Sequence, residues 1–156
     1  SCGAPYVTCD AGLSCVDGAC ALTPGDSCES IVDLNAGDLN PSGVFSWYAP
    51  YDTLQADFES VCGFASGDAV VSFTAPEAGD YKVSNYGSDV TGPLYIATDE
   101  SCGTFGSESS CVASETGFAQ RVVTLAASET ILIYALPSFG FDDARLVLNV
   151  ERVEAF

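Results

Sequence analysis

The chain has 156 residues, a length typical of one ordinary domain with a small appendage. Twenty-two Asp and Glu residues against four Lys and Arg residues give a formal net charge of −18 at pH 7, which disfavours nucleic acids as partners. The absence of histidine excludes Ser-His-Asp catalysis and histidine-ligated metal sites. The longest apolar runs fall short of the roughly 18 residues that a membrane span needs, so we expect no direct membrane insertion.

The first 27 residues predict a small disulfide-rich knot followed by a linker. They hold four of the eight cysteines, and an Asp-Gly dipeptide at 17–18 favours a tight turn. So small a unit buries too little surface to fold unaided, and two bridges would hold it. Four cysteines allow three pairings, of which we expect the crossed one, Cys2 with Cys15 and Cys9 with Cys20.

The remaining residues, 28–156, predict a β-sandwich domain. Short runs rich in Val, Ile, Tyr and Phe are separated by glycine or proline clusters, and no amphipathic helical stripe of useful length occurs. The predicted strands are 30–34, 44–48, 69–73, 81–85, 94–98, 121–125, 130–136 and 145–153. Such a series predicts an all-β fold, an antiparallel, jelly-roll-like sandwich of two sheets, with the long last strand lying centrally.

The cysteines indicate an oxidising compartment. An even number of cysteines in a small acidic chain is typical of disulfides formed outside the cytoplasm. Zinc or iron–sulfur sites are the alternative, but they usually contain C-x-x-C pairs, which this sequence lacks. We therefore expect a secreted, extracellular protein, in its mature form after removal of a signal peptide. The candidate disulfide cysteines are Cys2, Cys9, Cys15, Cys20, Cys28, Cys62, Cys102 and Cys111.

The string G-D-A-V-V-S-F-T-A-P-E-A-G-D-Y-K-V at 67–83 resembles the core of bacterial pre-peptidase C-terminal domains. The likeness continues through L-Y-I-A-T at 94–98 and the last two cysteines to the strand ending at Ile133. The first 27 residues resemble small cysteine-rich pieces on cell-surface proteins of myxobacteria and their relatives. The resemblance implies a β-sandwich that accompanies secreted enzymes or surface proteins and performs no catalysis itself.

The same resemblance implies two disulfides and a metal. Cys102 would pair with Cys111 across a hairpin loop, and Cys28 would pair with Cys62. Some related members bind calcium. Relatives often carry an Asn-Asp or Asp-Asp pair just after the second cysteine of the hairpin, whereas Val-Ala-Ser follows Cys111 here.

The segment 33–40 is the best candidate for a metal site. Asp33, Asn35, Asp38 and Asn40 offer four oxygen-bearing side chains within eight residues, the hard ligands that calcium prefers. The segment lacks the glycine and the final glutamate of an EF-hand. The alternative is a solvated turn whose leucines point inward. Calcium is the one cofactor that the sequence suggests.

Aromatic side chains around 45–51 are the best candidates for a binding surface. Trp47, Tyr48 and Tyr51 would form an exposed platform that stacks on a sugar ring or docks a protein. Strand alternation places Phe45 and Trp47 on one face and Tyr48 on the other. The alternative is therefore that Phe45 and Trp47 fill the core of the sandwich.

Together these features predict a non-catalytic structural or interaction protein of the bacterial cell surface. Its partners would be copies of itself or other surface proteins, because outward strand positions lack the lysines that keep sheet edges apart. The alternative is a calcium-dependent module that binds polysaccharide or matrix. A hydrolase using paired carboxylates is a distant third hypothesis, and we assign no catalytic residue.

Overall fold

A computed structural model describes residues 13–16, 19–22, 28, 31–36, 44–50, 68–89, 92–98, 102, 111–112, 119–136 and 145–153. Within these ranges no helix is long and apolar enough to cross a membrane. The strands are β1 (Leu13–Val16), β2 (Ala19–Leu22), β3 (Val32–Asp33), β4 (Val44–Pro50), β5 (Ala69–Thr74), β6 (Gly79–Ser84), β7 (Leu94–Ala97), β8 (Cys111–Val112), β9 (Gln120–Leu125), β10 (Thr130–Ala135) and β11 (Arg145–Val153). A 3₁₀ turn, Leu34–Ala36, follows β3.

Two sheets form the sandwich and confirm the predicted all-β class. One sheet has the strand order β3-β5-β10-β7-β8 and the other β4-β11-β6-β9. The pairs in both sheets are antiparallel except β3–β5, which is parallel. The last strand lies between β4 and β6, so its predicted central position is also confirmed. The strands β1 and β2 pair antiparallel, with Val16 opposite Ala19, while the predicted turn at 17–18 lies outside the described residues.

All eight predicted strands are confirmed to within two residues at each end. The run 30–34 is the one that shortens most, because Val32–Asp33 is extended and Leu34 begins the 3₁₀ turn. The side chain of Asn35 replaces the missing backbone partner of β5. Its Oδ1 accepts from Thr74 N at 2.7 Å and its Nδ2 donates to Thr74 O at 2.8 Å, which continues the contact of the two segments two residues beyond the Asp33–Ser72 pair.

The core between the sheets is centred on three aromatic rings. Phe73 is completely buried and packs edge-to-face on Phe45 and Tyr81, with ring centroids 5.2 and 5.3 Å away. Branched aliphatic side chains from the inner faces of both sheets surround these rings. They include Leu34, Val71, Val83, Ile131, Ile133, Leu146, Leu148 and Val150.

The outer face of the five-stranded sheet is buried as well. A second apolar cluster lies there, in which Tyr95 and Tyr134 contact edge-to-face at 5.9 Å. Ile31, Cys102 and Cys111 pack against this cluster. The five-stranded sheet therefore has side chains buried on both of its faces, which is unusual for a mainly antiparallel sheet.

The disulfide at this cluster corrects the expected pairing. Cys28 is bonded to Cys102, with a Cα–Cα distance of 5.7 Å. The pairings implied by the resemblance, Cys28 with Cys62 and Cys102 with Cys111, are therefore wrong. Cys102 packs on the outer face of the five-stranded sheet, where Cys28 reaches it, whereas Cys111 lies in β8 and is disulfide-bonded separately. The expected pairings Cys2–Cys15 and Cys9–Cys20 lie outside the described residues.

Asn85 continues the pairing of β6 with β9 beyond the end of β6. It is 3% exposed, and its Oδ1 accepts from Ala119 N at 2.7 Å while its own N–H donates to Ala119 O at 3.2 Å. We expect Asn85→Ala to lower the free energy of unfolding by about 1–3 kcal/mol, because the buried N–H of Ala119 would lose its acceptor. Urea unfolding followed by circular dichroism measures this loss.

The matched control is Gln120→Ala, which removes an exposed amide from the neighbouring strand β9. This control should change the free energy of unfolding by less than about 0.5 kcal/mol. Equal stabilities of the two variants would contradict the structural role of Asn85.

A candidate binding groove on the four-stranded sheet

The register of the four-stranded sheet aligns polar side chains in a row across all four strands. Ser46 lies opposite Asn149, Asn149 opposite Ser84, and Ser84 opposite Gln120. Because side chains alternate along a strand, this row projects from the outer face while the intervening residues face the core. We call it the polar row.

A second row runs beside the polar row. It consists of Val44, Glu151, Lys82 and Val122, in the strand order β4-β11-β6-β9. A groove of about 430 Å³ lies over both rows and is bordered by Tyr86. This volume is within the usual range of small-ligand sites, roughly 300–1,000 Å³. Three strand spacings make the groove floor about 14 Å wide across the strands.

Hydrogen bonds hold the central amide of the polar row in place. The hydroxyl of Ser46 donates to Asn149 Oδ1 at 2.6 Å. Asn149 Nδ2 donates in turn to the backbone carbonyl of Tyr86 at 2.9 Å. The amide orientation is therefore fixed by partners on both sides, and the exposed amide of Gln120 completes the row at its outer edge.

The groove carries no net formal charge. Its lining contains one ammonium group, Lys82, and one carboxylate, Glu151, and the two form an ion pair with a 2.6 Å separation of Nζ and Oε1. Both side chains are more than a third exposed, so the pair contributes little to stability. Its consequence is electrostatic, because the lysine charge is neutralised locally.

A tight turn places Tyr86 at the edge of the groove. Ser88 N donates to Asn85 O at 3.1 Å, and Gly87 has a φ of 92°, as at the third position of a type II turn. The Ser88 hydroxyl donates to Val147 O at 3.0 Å and accepts from Val147 N at 2.7 Å, which fastens the turn to β11. The backbone geometry thus requires glycine at 87 and leaves the ring of Tyr86 66% exposed.

Tyr48 flanks the same end of the groove from the other side of β11. It lies opposite Val147, one row beyond the polar row, and is also 66% exposed. The other large apolar side chains that are exposed among the described residues are Val122 and Val153. All four lie on the outer face of the four-stranded sheet. This face therefore combines an uncharged polar groove with exposed apolar groups, whereas the outer face of the other sheet is covered.

Of the aromatic residues predicted as a platform, the structure places two on opposite faces. Trp47 is partly buried and packs against the core together with Phe45, as the alternative prediction had it. Tyr48 points outward, so the predicted alternation is confirmed. Tyr51 lies outside the described residues.

The predicted calcium ligands are described in part. The amide of Asn35 is engaged by the backbone of Thr74, and Asp33 Oδ1 accepts from Asn35 N at 3.0 Å. Leu34 points inward and is buried, as expected for the alternative of a solvated turn. Asp38 and Asn40 lie outside the described residues. Within the described ranges, no group of three or more His, Cys, Asp or Glu side chains is placed to hold a metal ion. Calcium binding stays a prediction.

The polar row was not predicted from the sequence. Its members are separated by at least 29 residues along the chain, and each of them is an unremarkable Ser, Asn or Gln. Alternation along a single strand indicates which residues point outward but not which of them lie side by side. That information is in the register, which depends on the whole sheet.

Comparison with known proteins gives no match, either to a protein-family model or to a curated protein. The motif at 67–83 forms β5, a turn and β6, two strands that belong to different sheets. The resemblance to pre-peptidase C-terminal domains therefore stays a prediction based on the sequence motif alone.

Proposed function

We propose that this chain is a non-catalytic interaction module of the extracellular bacterial surface and that it binds its partner through the outer face of the four-stranded sheet. The observation that carries this proposal is the distribution of exposed apolar groups. All four large ones among the described residues lie on this face, around a groove of ligand size. Exposed apolar groups gathered beside a polar groove are typical of a binding surface.

The Cys28–Cys102 bond supports the extracellular part of the proposal. Disulfides persist in oxidising compartments and are rare in the cytoplasm. The bond joins segments 74 residues apart, and both of its cysteines belong to the covered side of the sandwich rather than to the groove. It can therefore stabilise the domain without restricting access to the proposed binding face.

A sedimentation assay with cell envelopes of the producing bacterium tests the proposal. The purified protein should sediment with the envelopes, and the double variant Tyr48→Ala/Tyr86→Ala should bind at least about ten-fold more weakly, because truncating contact aromatics typically costs more than 1 kcal/mol each. Both rings are largely exposed, so the variant should fold normally.

The matched control is the double variant Thr74→Ala/Thr130→Ala. These two threonines bond to each other through their hydroxyls in the five-stranded sheet, away from the groove. The control should sediment like the original chain. Failure of the original chain to sediment would contradict the proposed function, and full binding by the tyrosine variant would contradict the proposed face.

A further inference from the structure

The geometry points to an uncharged oligosaccharide as the ligand of the groove, an inference that rests on the proposed function. The floor of the groove contains hydroxyl and amide groups from four adjacent strands, of which Ser84 is buried while Ser46 and Gln120 keep unused hydrogen-bond capacity. Ser46 Oγ keeps its acceptor positions after donating to Asn149, and the amide of Gln120 is exposed to solvent with both donor and acceptor atoms. Groups that both donate and accept suit sugar hydroxyls, which also do both.

Charge excludes polyanions from this role. The whole chain carries −18, and the single ammonium group of the lining is already paired with Glu151. A uronic acid, sulfate or phosphate group entering the groove would meet no unpaired cation of the lining and would be repelled by the rest of the protein. An uncharged ligand meets no such repulsion. Lys82 can then donate a hydrogen bond to a sugar hydroxyl, and Glu151 can accept one.

The two exposed tyrosines supply the apolar part of sugar recognition. A pyranose ring has C–H groups on its faces and hydroxyls around its rim. Tyr48 and Tyr86 each offer an apolar ring with a polar hydroxyl at its tip, and they stand on either side of β11, beside the polar row. A chain of sugars lying along the polar row would therefore have hydrogen-bonding groups beneath it and the two aromatic rings along one side.

The same arrangement fits a protein partner or a second copy of this chain less well. Protein interfaces concentrate their binding energy in buried aromatic or arginine side chains near the centre. Here the centre is polar and the rings lie along one side. Docking a flat partner would also bury the Lys82–Glu151 pair. Two copies would in addition bring two charges of −18 together.

Competition in the envelope assay tests the inference. Polysaccharide is released from the envelopes with proteinase and separated by anion exchange into a neutral and an acidic fraction. We expect the neutral fraction to displace the protein from the envelopes and the acidic fraction to have no effect. Displacement by the acidic fraction alone, or displacement by neither fraction, would overturn the inference while leaving the proposed function in place.

Three variants then connect the binding to the groove. Tyr86→Phe keeps the ring and should bind the neutral fraction within about three-fold of the original chain, whereas Tyr86→Leu should lose about ten-fold, because it keeps apolar volume without an aromatic face. Gln120→Ala should lose about two- to ten-fold through its hydrogen bonds. Equal binding by the Leu and Phe variants would overturn the role of the aromatic ring. A dimer by light scattering that the Tyr86→Leu change dissociates would assign the face to a second copy instead.

Discussion

Removing the Cys28–Cys102 disulfide is expected to lower the free energy of unfolding by about 4 kcal/mol, the loop-entropy value for a closure of this size. The bond joins residues separated by 74 positions, so it restricts a large part of the unfolded chain. The test is urea unfolding of the double variant Cys28→Ala/Cys102→Ala, followed by circular dichroism. Alanine is preferred to serine because Cys102 packs in an apolar cluster.

The denaturant slope separates this effect from lost packing. If the bond acts on the unfolded chain, the variant should have a steeper dependence of the free energy of unfolding on urea, because its denatured state is more expanded. A loss below about 1 kcal/mol with an unchanged slope would contradict the stabilising role of the bond.

Replacing Phe73 by Ala is expected to lower the free energy of unfolding by about 3–5 kcal/mol, as large-to-small changes in well-packed cores do. Phe73 is completely buried and contacts both Phe45 in the four-stranded sheet and Tyr81 in the next strand along the chain. Its removal would leave a cavity where the two sheets meet. The midpoint of urea unfolding measures the loss.

The control for this variant is Tyr48→Ala, which removes a ring of similar size from an exposed position. It should change the free energy of unfolding by less than about 0.5 kcal/mol. Comparable losses at Phe73 and Tyr48 would mean that the assignment of core and outer faces is wrong. A large loss at Phe73 alone would support both assignments at once, because Phe73 lies in the core and Tyr48 on an outer face.

The strands could be predicted from the sequence because each depends on local composition. The last predicted strand, 145–153, has the same bounds in the structure, and the outward direction of Lys82 and Tyr48 follows from simple alternation. The strand at 30–34 was predicted too long because the amide of Asn35 imitates a backbone partner, which composition does not indicate.

What could not be predicted depends on contacts between distant segments. Glycine and proline residues between the predicted strands 69–73 and 81–85 indicate a turn, but local sequence does not indicate that it carries the chain from one sheet to the other. The disulfide pairing failed for a related reason. The analogy joined Cys102 to its nearest neighbour along the chain, whereas the fold brings Cys28 to the same apolar cluster. The polar row likewise exists only once four strands are in register.

The central position of β11 also determines when the groove forms during folding. This strand separates β4 from β6, and it contributes Asn149 and Glu151 to the groove, about 100 residues along the chain after their partners in β4. During synthesis or export, the earlier strands have no neighbour at the middle of this sheet until β11 emerges. The proposed binding face is therefore assembled late, and a chain cut before Arg145 would have the disulfide and most of the strands but no groove.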